Sequence, residues 1–161
     1  MTFPADATWT VPTGTWHTDF GFAKPPPEAF GLIMFSFIAN VEEHSGGTAV
    51  IAGSHRLVHR FVEQRAPASL TKMKEVRKAF FETDPWLKDL STKGPEDAVS
   101  RNLRFMEVGH EISGVLVHVT ELTGKAGDII LGHPWLMHTS APNCGEYPRM
   151  MCVQRIDKMF G

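Results

Sequence analysis

Residues 127–156 read GDIILGHPWLMHTSAPNCGEYPRMMCVQRI, and this stretch contains three short runs of strand-forming residues separated by turn signals. The runs cover 127–132, 135–140 and 148–156 and are rich in Ile, Leu, Trp, Met and Val. Gly, Pro and Asn fill the segments between them, and these residues favour turns for distinct backbone reasons. The stretch therefore predicts a succession of short strands.

The same alternation of short apolar runs and turn residues continues over most of the chain. Further strand candidates lie between Gly- and Pro-containing turns, at 8–12, 15–22, 30–41, 47–52, 103–108 and 113–121. Residues 60–90 differ, because helix formers stand between the breakers Pro67 and Pro85. Four apolar residues recur there at helical spacing and predict one apolar helix face: Leu70, Met73, Val76 and Phe80. We expect an all-β core of the jelly-roll kind with a helical insertion at about 60–90.

Length and composition narrow the class further. The 161 residues are most simply one domain, 1–161, and the net charge of −2 argues against nucleic acid or a membrane surface as a partner. Cys144 and Cys152 are too few for a disulfide framework, which predicts a reducing, cytoplasmic location. The longest apolar run, 30–41, is too short to cross a bilayer.

The segment WHTDF, residues 16–20, offers the first candidate site. On a strand, His17 and Asp19 would point to the same face, because side chains alternate between the two faces. An imidazole and a carboxylate side by side can bind one cation. The pair alone leaves two interpretations open, shared metal ligands or a hydrogen-bonded pair.

The C-terminal third can complete such a site. His133 and His138 are five residues apart, so at most one of them would face the interior of a regular strand pair. Arg149 follows His138 by eleven residues, and antiparallel pairing of their two strands would bring both side chains to one inner face. Two imidazoles and one carboxylate form the triad that holds non-haem iron(II), and a nearby arginine offers a fork for a carboxylate. 2-Oxoglutarate has the shape that this arrangement would suit.

Taken together, these motifs resemble the iron(II)/2-oxoglutarate-dependent dioxygenases. The signature is His17-x-Asp19 followed by His138-x10-Arg149. More narrowly, GGTAVIAGSHR (46–56) and GDIILGHPWLMHTSAPN (127–143) resemble the phytanoyl-CoA dioxygenase family. The resemblance covers roughly 14–56 and 113–156, with the motifs in the family's order.

The resemblance implies a fold, a site and a reaction. The fold would be the double-stranded β-helix, a cupin-like jelly roll. His17, Asp19 and His138 would bind Fe(II), while Arg149 and Ser140 would bind the co-substrate 2-oxoglutarate. The reaction would use molecular oxygen to hydroxylate a small organic substrate, with release of succinate and CO2.

Several alternatives stay open at this point. Members of the family usually carry further elements before the His-x-Asp pair, whereas sixteen residues precede His17 here. We interpret the domain as short at its N-terminus: a minimal member, an incomplete fragment or a form of impaired activity. A non-catalytic jelly-roll binding module that retains the metal site is the alternative function. A cupin-like metal enzyme without 2-oxoglutarate is a third, and self-association through an uncovered sheet is a further hypothesis.

Other polar residues carry weaker expectations. We expect His55 to stabilise a turn and His133 to pack near the site rather than to bind the metal. A run of basic residues supports the hypothesis of an anionic substrate, for example a CoA thioester, attracted to the site mouth: Arg56, His59, Arg60, Arg65, Lys72, Lys74, Arg77 and Lys78. The alternative is a solvated helix face.

Overall fold

The structure is a computed structural model that describes residues 1–22 and 31–157. Within these ranges the chain forms seven strands, arranged as two antiparallel sheets. The strands are β1 (Gly31–Phe37), β2 (Thr48–Ala52), β3 (His110–Ile112), β4 (Val115–Leu122), β5 (Ile129–Gly132), β6 (His138–Ser140) and β7 (Met151–Asp157). One sheet has the order β5-β1-β7 and the other β3-β4-β2-β6. The prediction of a core built from short strands is confirmed.

The four-stranded sheet lies between the three-stranded sheet and a layer of helices. Ala49 and Ile51 of β2 share a core with apolar side chains of the helices. The other face of β2, which carries Thr48 and Val50, is also buried. Phe35 of β1 contacts the ring of His138 on β6, with the ring centroids 5.6 Å apart, so this second face looks toward the three-stranded sheet. The space between the two sheets is therefore an interior in which polar residues can be buried.

The helical part is longer and more broken than the predicted insertion at 60–90. It comprises α1 (Ser54–Glu63), a 3-10 turn (Pro67–Leu70), α2 (Met73–Phe81), α3 (Pro85–Ser91), α4 (Ala98–Asn102) and a π-helical turn (Leu103–Val108). Pro67 and Pro85 each begin an element, where the missing N–H of proline costs no hydrogen bond. None of the helices in the described ranges is long and apolar enough to cross a membrane.

The predicted apolar face is correct for three of its four residues. Leu70, Val76 and Phe80 are buried, whereas the Met73 side chain is 42% exposed. Leu70 ends the separate 3-10 turn and Met73 begins α2, so the spacing does not run along one continuous helix. Met73 is therefore available to line a surface cavity.

The strand predicted at 103–108 is wrong. Asp97 caps α4 by accepting the backbone N–H of Ser100, and the chain continues from α4 directly into the π-helical turn. Phe105 is buried there beneath the guanidinium of Arg101, 4.7 Å from the ring centroid. A strand that was not predicted, β3, follows at His110–Ile112 and pairs with β4.

The strands predicted at 8–12 and 15–22 are also absent. The backbone of Val11 bonds to two side chains of α4: its N–H donates to Asn102, and its carbonyl accepts from Arg101. Thr15 has a φ of 61°, which interrupts an extended chain. Residue 17 forms a single antiparallel bridge with residue 138 instead of a strand. The segment KPPPE, 24–28, lies outside the described residues, as does the first residue of the strand predicted at 30–41.

Candidate metal centre

His17 is held by a bridge on one side and by a buried tryptophan on the other. Its backbone N–H and carbonyl bond to the backbone of His138, at 2.9 Å in each direction. The preceding Trp16 is buried in the main core, and its indole N–H donates to the carbonyl of Pro12. The bridge directs the His17 ring to the face opposite Trp16, as strand alternation would. The predicted side-chain direction is therefore correct although the strand is not.

Asp19 reaches the same place through a turn. The hydroxyl of Thr18 donates to the carbonyl of Phe20, and this hydrogen bond forms a tight turn immediately after the bridge at residue 17. Arg155 of β7 donates to the backbone carbonyl of Asp19 at 3.1 Å. The three-stranded sheet thereby fixes the backbone from which the carboxylate projects.

His138 begins β6 and is 4% exposed. Its residue pairs directly with Val50 of β2, so its side chain lies on the face between the sheets. The backbone N–H of the preceding Met137 donates to the hydroxyl of Ser54, the first residue of α1. The pairing with Val50 and the hydrogen bond to Ser54 therefore hold the start of β6 in the buried part of the molecule.

The three side chains converge on one point. The Nε2 atoms of His17 and His138 lie 3.6 and 3.5 Å from the same oxygen, Oδ1 of Asp19. All three candidate ligand atoms lie within 4.8 Å of one another, and within the described ranges no other group of His, Cys, Asp or Glu does so. Two ligands about 2.1 Å from one ion lie roughly 3.0–3.4 Å apart at ordinary bond angles. The arrangement could hold a metal ion after a small contraction.

Hydrogen bonds on the far side of each imidazole favour this role. Nδ1 of His17 donates to the carbonyl of Thr15 at 2.7 Å, and Nδ1 of His138 donates to the carbonyl of Leu136 at 2.9 Å. Since each Nδ1 carries the proton, each neutral ring presents the lone pair of Nε2 to Asp19. Burial lowers the pKa of His138, with the proximity of His17 acting in the same direction, against the bond to Leu136 and the charge of Asp19. The buried ring is thus kept in the neutral form that binds metals.

The three side chains differ in their exposure. The side chain of His138 is 5% exposed, that of Asp19 23% and that of His17 43%. A cavity of about 220 Å³ lies against the two more exposed residues. A small molecule could reach the triad through this cavity, on the side of His17 and Asp19.

Arg149 lies near the ladder that carries His138, although the predicted strand pairing is wrong. β6 and β7 belong to different sheets and do not pair. The guanidinium of Arg149 instead donates to the carbonyl of Gly46 at 2.5 Å and to the hydroxyl of Thr48 at 3.4 Å. Thr48 pairs directly with Ser140, two residues along from the pair of Val50 and His138.

The charge of Arg149 has no carboxylate partner in the part of the chain that the structure describes. Burial lowers its pKa, and the charge of Glu121 acts against that shift. The Glu121 carboxylate accepts the backbone N–H groups of His44 and Gly47 rather than the guanidinium. A buried guanidinium without an ion pair fits the binding of an anionic ligand. However, Arg149 lines a cavity of about 570 Å³ that differs from the one at His17 and Asp19.

His55 and His133 lie together outside the triad. Their ring centroids are 5.0 Å apart, and they line a cavity of about 260 Å³ with Arg56, His59 and Arg60. His133 accepts the backbone N–H of Trp135 in the turn before β6. It lies outside the group of three candidate ligands, and its role near the site stays a prediction. Arg77, Met73 and Thr18 line the cavity at the triad. Arg77 belongs to the basic run expected near the site mouth, whereas sequence reasoning did not assign Met73 or Thr18 to the site.

Comparison with protein families decides the relationship. The family model for phytanoyl-CoA dioxygenase (PhyH) matches residues 2–151. The chain belongs to the phytanoyl-CoA dioxygenase family. No curated protein and no solved structure gives a significant match to it.

Membership in the phytanoyl-CoA dioxygenase family confirms the resemblance that the motifs indicated. It places the chain among the oxygenases of the iron(II)/2-oxoglutarate type, whose members act on small molecules with oxygen. The two antiparallel sheets are consistent with the jelly-roll architecture of that family.

Proposed function

We propose that this chain is a non-haem iron(II), 2-oxoglutarate-dependent dioxygenase that hydroxylates a small organic substrate on a double-stranded β-helix scaffold. The observation that carries the proposal is the convergence of His17, Asp19 and His138, with both imidazole Nε2 atoms directed at one carboxylate oxygen. Two histidines and one carboxylate on one face are the ligand set of iron(II) oxygenases. Membership in the family supports the same reading.

Each residue has a defined task in this proposal. The triad would hold Fe(II), and iron bound there supplies the activation of oxygen that is coupled to decarboxylation of 2-oxoglutarate to succinate and CO2. His17 and His138 keep their Nε2 lone pairs free through their Nδ1 bonds. Phe35, which is fully buried, contacts the His138 ring edge to face and excludes water from that side. Arg149 would bind the distal carboxylate of 2-oxoglutarate, with Ser140 of β6, which pairs with Thr48, the hydrogen-bond partner of Arg149.

The experiment is an anaerobic titration followed by turnover. Fe(II) and then 2-oxoglutarate are added under argon, and the visible metal-to-ligand charge-transfer band is recorded. Oxygen is then admitted and succinate is assayed. We expect the band in the wild-type protein and succinate after oxygen enters.

Variants separate the metal site from a general effect. His17→Ala, Asp19→Ala and His138→Ala should each abolish the band, whereas His118→Ala, a histidine on β4 outside the triad, should leave it unchanged. Circular dichroism confirms that each variant is folded. The proposal fails if the wild-type protein gives no band, or if the band persists in His17→Ala/Asp19→Ala.

One observation favours a second candidate, a metal-binding jelly-roll module without 2-oxoglutarate turnover. Arg149 lines a different cavity from His17 and Asp19, so its hydrogen bonds to Gly46 and Thr48 would then be its whole role. The same experiment distinguishes the two candidates. Iron binding without succinate would support the module, and succinate release would exclude it.

A further inference from the structure

The cavity at the triad is the place where a substrate could contact both the metal ligands and the helical layer. Its volume is about 220 Å³, and it is lined by His17, Thr18, Asp19, Gly21, Phe22, Met73 and Arg77. Phe22 and Met73 contribute apolar surface, while α2 contributes Met73 and Arg77. A molecule seated here would have the two more exposed triad residues at one wall and α2 at another.

Arg77 differs from the other arginines that are at least partly buried. Within the described residues it has no hydrogen bond, ion pair or ring contact. By contrast, Arg60 donates to the carbonyl of Ser113, Arg65 to that of Phe61, and Arg104 to the carboxylate of Asp89. A partly buried guanidinium whose N–H groups have no protein acceptor can donate them to a bound anion. Arg77 is therefore poised to receive a negative group in this cavity.

A second cavity extends the positive surroundings of Arg77. It measures about 540 Å³ and is also lined by Arg77, so the two cavities meet at this side chain. Lys74, Lys78 and Lys88 line it together with Glu75 and Glu82. Both glutamates contact lysines: Glu75 contacts Lys72 at 3.3 Å, and Glu82 contacts Lys78 at 3.8 Å. Lys74 and Lys88 remain without a counter-charge among the described residues, so the net field around Arg77 is positive.

We infer that Arg77 binds an anionic group of the primary substrate, a carboxylate or a phosphate, and thereby determines which molecules enter the cavity beside the metal ligands. The inference rests on the proposed function, because it treats the triad as the reacting end of the cavity. Apolar parts of the substrate would pack against Phe22 and Met73. The carboxylate of Asp19 on the same wall is offset when a divalent ion occupies the triad, which leaves Arg77 as the group that selects charge.

Arg77 is one of the eight basic residues that were expected to attract anions to the site mouth. Of the eight basic residues in that run, Arg77 lines the cavity shared with His17 and Asp19, whereas Arg56, His59 and Arg60 line the separate cavity with His55 and His133. Lys72, Lys74 and Lys78 are exposed on α2 and just before it. Selection by charge is thus assigned to one side chain rather than to a helix face.

Methyl NMR of Met73 tests the inference without requiring turnover. The full chain is labelled with ¹³C-methyl methionine, and the Met73 signal is assigned by its loss in Met73→Leu. Three probes of equal chain length are titrated into the protein without metal and with Zn(II), which is diamagnetic and offsets the charge of Asp19: hexanoate, hexyl phosphate and hexanamide. We expect hexanoate or hexyl phosphate to shift the Met73 signal and hexanamide to bind at least about tenfold more weakly, as expected for the loss of a charged hydrogen bond. The stronger of the two anions identifies the class.

Variants of Arg77 complete the test. Arg77→Gln, which keeps most of the side-chain length, should weaken anion binding about tenfold, and Arg77→Lys should restore part of it. Arg56 is an exposed arginine on α1 without a partner in the part of the chain that the structure describes, and Arg56→Ala should bind the probes as the wild-type protein does. Equal binding of hexanamide and hexanoate, unchanged binding in Arg77→Gln, or the absence of binding by any probe would each overturn the inference.

The two proposals fail in different ways. Arg77→Gln should retain the charge-transfer band with Fe(II) and 2-oxoglutarate, because Arg77 is not part of the triad. Loss of the band in that variant would contradict its assignment as a substrate residue. A wild-type protein that discriminates the probes at Met73 but shows no band would refute the proposed function and still support the anion site.

Discussion

At the scale of single residues, both ligand imidazoles are oriented by the backbone rather than by other side chains. The carbonyls of Thr15 and Leu136 each lie two residues before the histidine that they orient. Such short-range bonds set the tautomer locally, and the bridge between residues 17 and 138 then sets the distance between the rings. The centroids of the two rings are 4.4 Å apart. Little rearrangement of the chain is therefore required for metal binding.

A substitution of Arg149 tests whether this side chain binds 2-oxoglutarate. Arg149→Lys keeps the positive charge but loses the planar fork, so it should weaken 2-oxoglutarate binding by about 1.5–3 kcal/mol, or roughly 10- to 150-fold, without changing Fe(II) affinity. The measurement is a titration of the charge-transfer band with 2-oxoglutarate. Arg65→Lys serves as the control, because Arg65 donates to the carbonyl of Phe61 on α1. Unchanged 2-oxoglutarate affinity in a folded Arg149→Lys protein would assign Arg149 a purely structural role.

At the scale of elements, the hairpin of β3 and β4 shows why a turn can be harder to recognise than a strand. Ser113 and Gly114 have φ values of 51° and 75°, the two positive values that a type I′ turn requires. Ile112 pairs with Val115 directly across this turn. The strand prediction at 113–121 included both turn residues, because Ser-Gly is a weaker hairpin signal than Asn-Gly.

Two glycines in open space allow the backbone effect to be measured alone. A Cβ added at Gly114 or at Gly14 would meet no atom within 4 Å, but only Gly114 has a positive φ. Gly114→Ala should therefore lower the free energy of unfolding by about 1–2 kcal/mol. Gly14→Ala should leave it unchanged or raise it by about 0.4–1 kcal/mol, because alanine restricts the unfolded chain. Urea unfolding of both variants checks the difference, and equal effects would argue against a type I′ turn here.

At the scale of the whole molecule, the triad links parts that are distant in sequence. His17 and Asp19 belong to an N-terminal segment that forms no strand, whereas His138 begins β6 of the four-stranded sheet. The backbone of Arg149 also bridges to that of Thr2, so the first residues are tied to the turn before β7. A metal held by the triad would therefore fasten this N-terminal segment to the sheets.

Metal binding should consequently stabilise the folded chain. At a free Fe(II) concentration 100 times the dissociation constant, the free energy of unfolding should rise by about 2.7 kcal/mol. For a chain of this size, the melting temperature should rise by roughly 5–10 °C. Calorimetry under argon measures the shift, and excess chelator should reverse it. His138→Ala should show no shift, and a shift of equal size in that variant would place the binding site elsewhere.

By itself, the sequence determined the β-rich core, the family and the His-x-Asp pair, because each depends on local signals or on motifs in a fixed order. His138 joined that pair through the resemblance to the family rather than through a local pattern. Turn residues bound short apolar runs, and the His-x-Asp pair stands at a spacing that brings both side chains to one face. A single bridge at His17 preserved that alternation even though the strand around it was not formed.

Only the tertiary structure decided how distant segments meet. It showed that residues 103–108 continue a helix, with Phe105 packed under Arg101. Apolar alternation in the sequence does not by itself distinguish this helical turn from a strand. It separated β6 from β7 and brought Arg149 to Thr48. It also brought Arg77, which has no partner among the described residues, to the cavity beside His17. Such contacts join residues far apart in the chain, and their geometry depends on the packing of the whole core rather than on any local pattern.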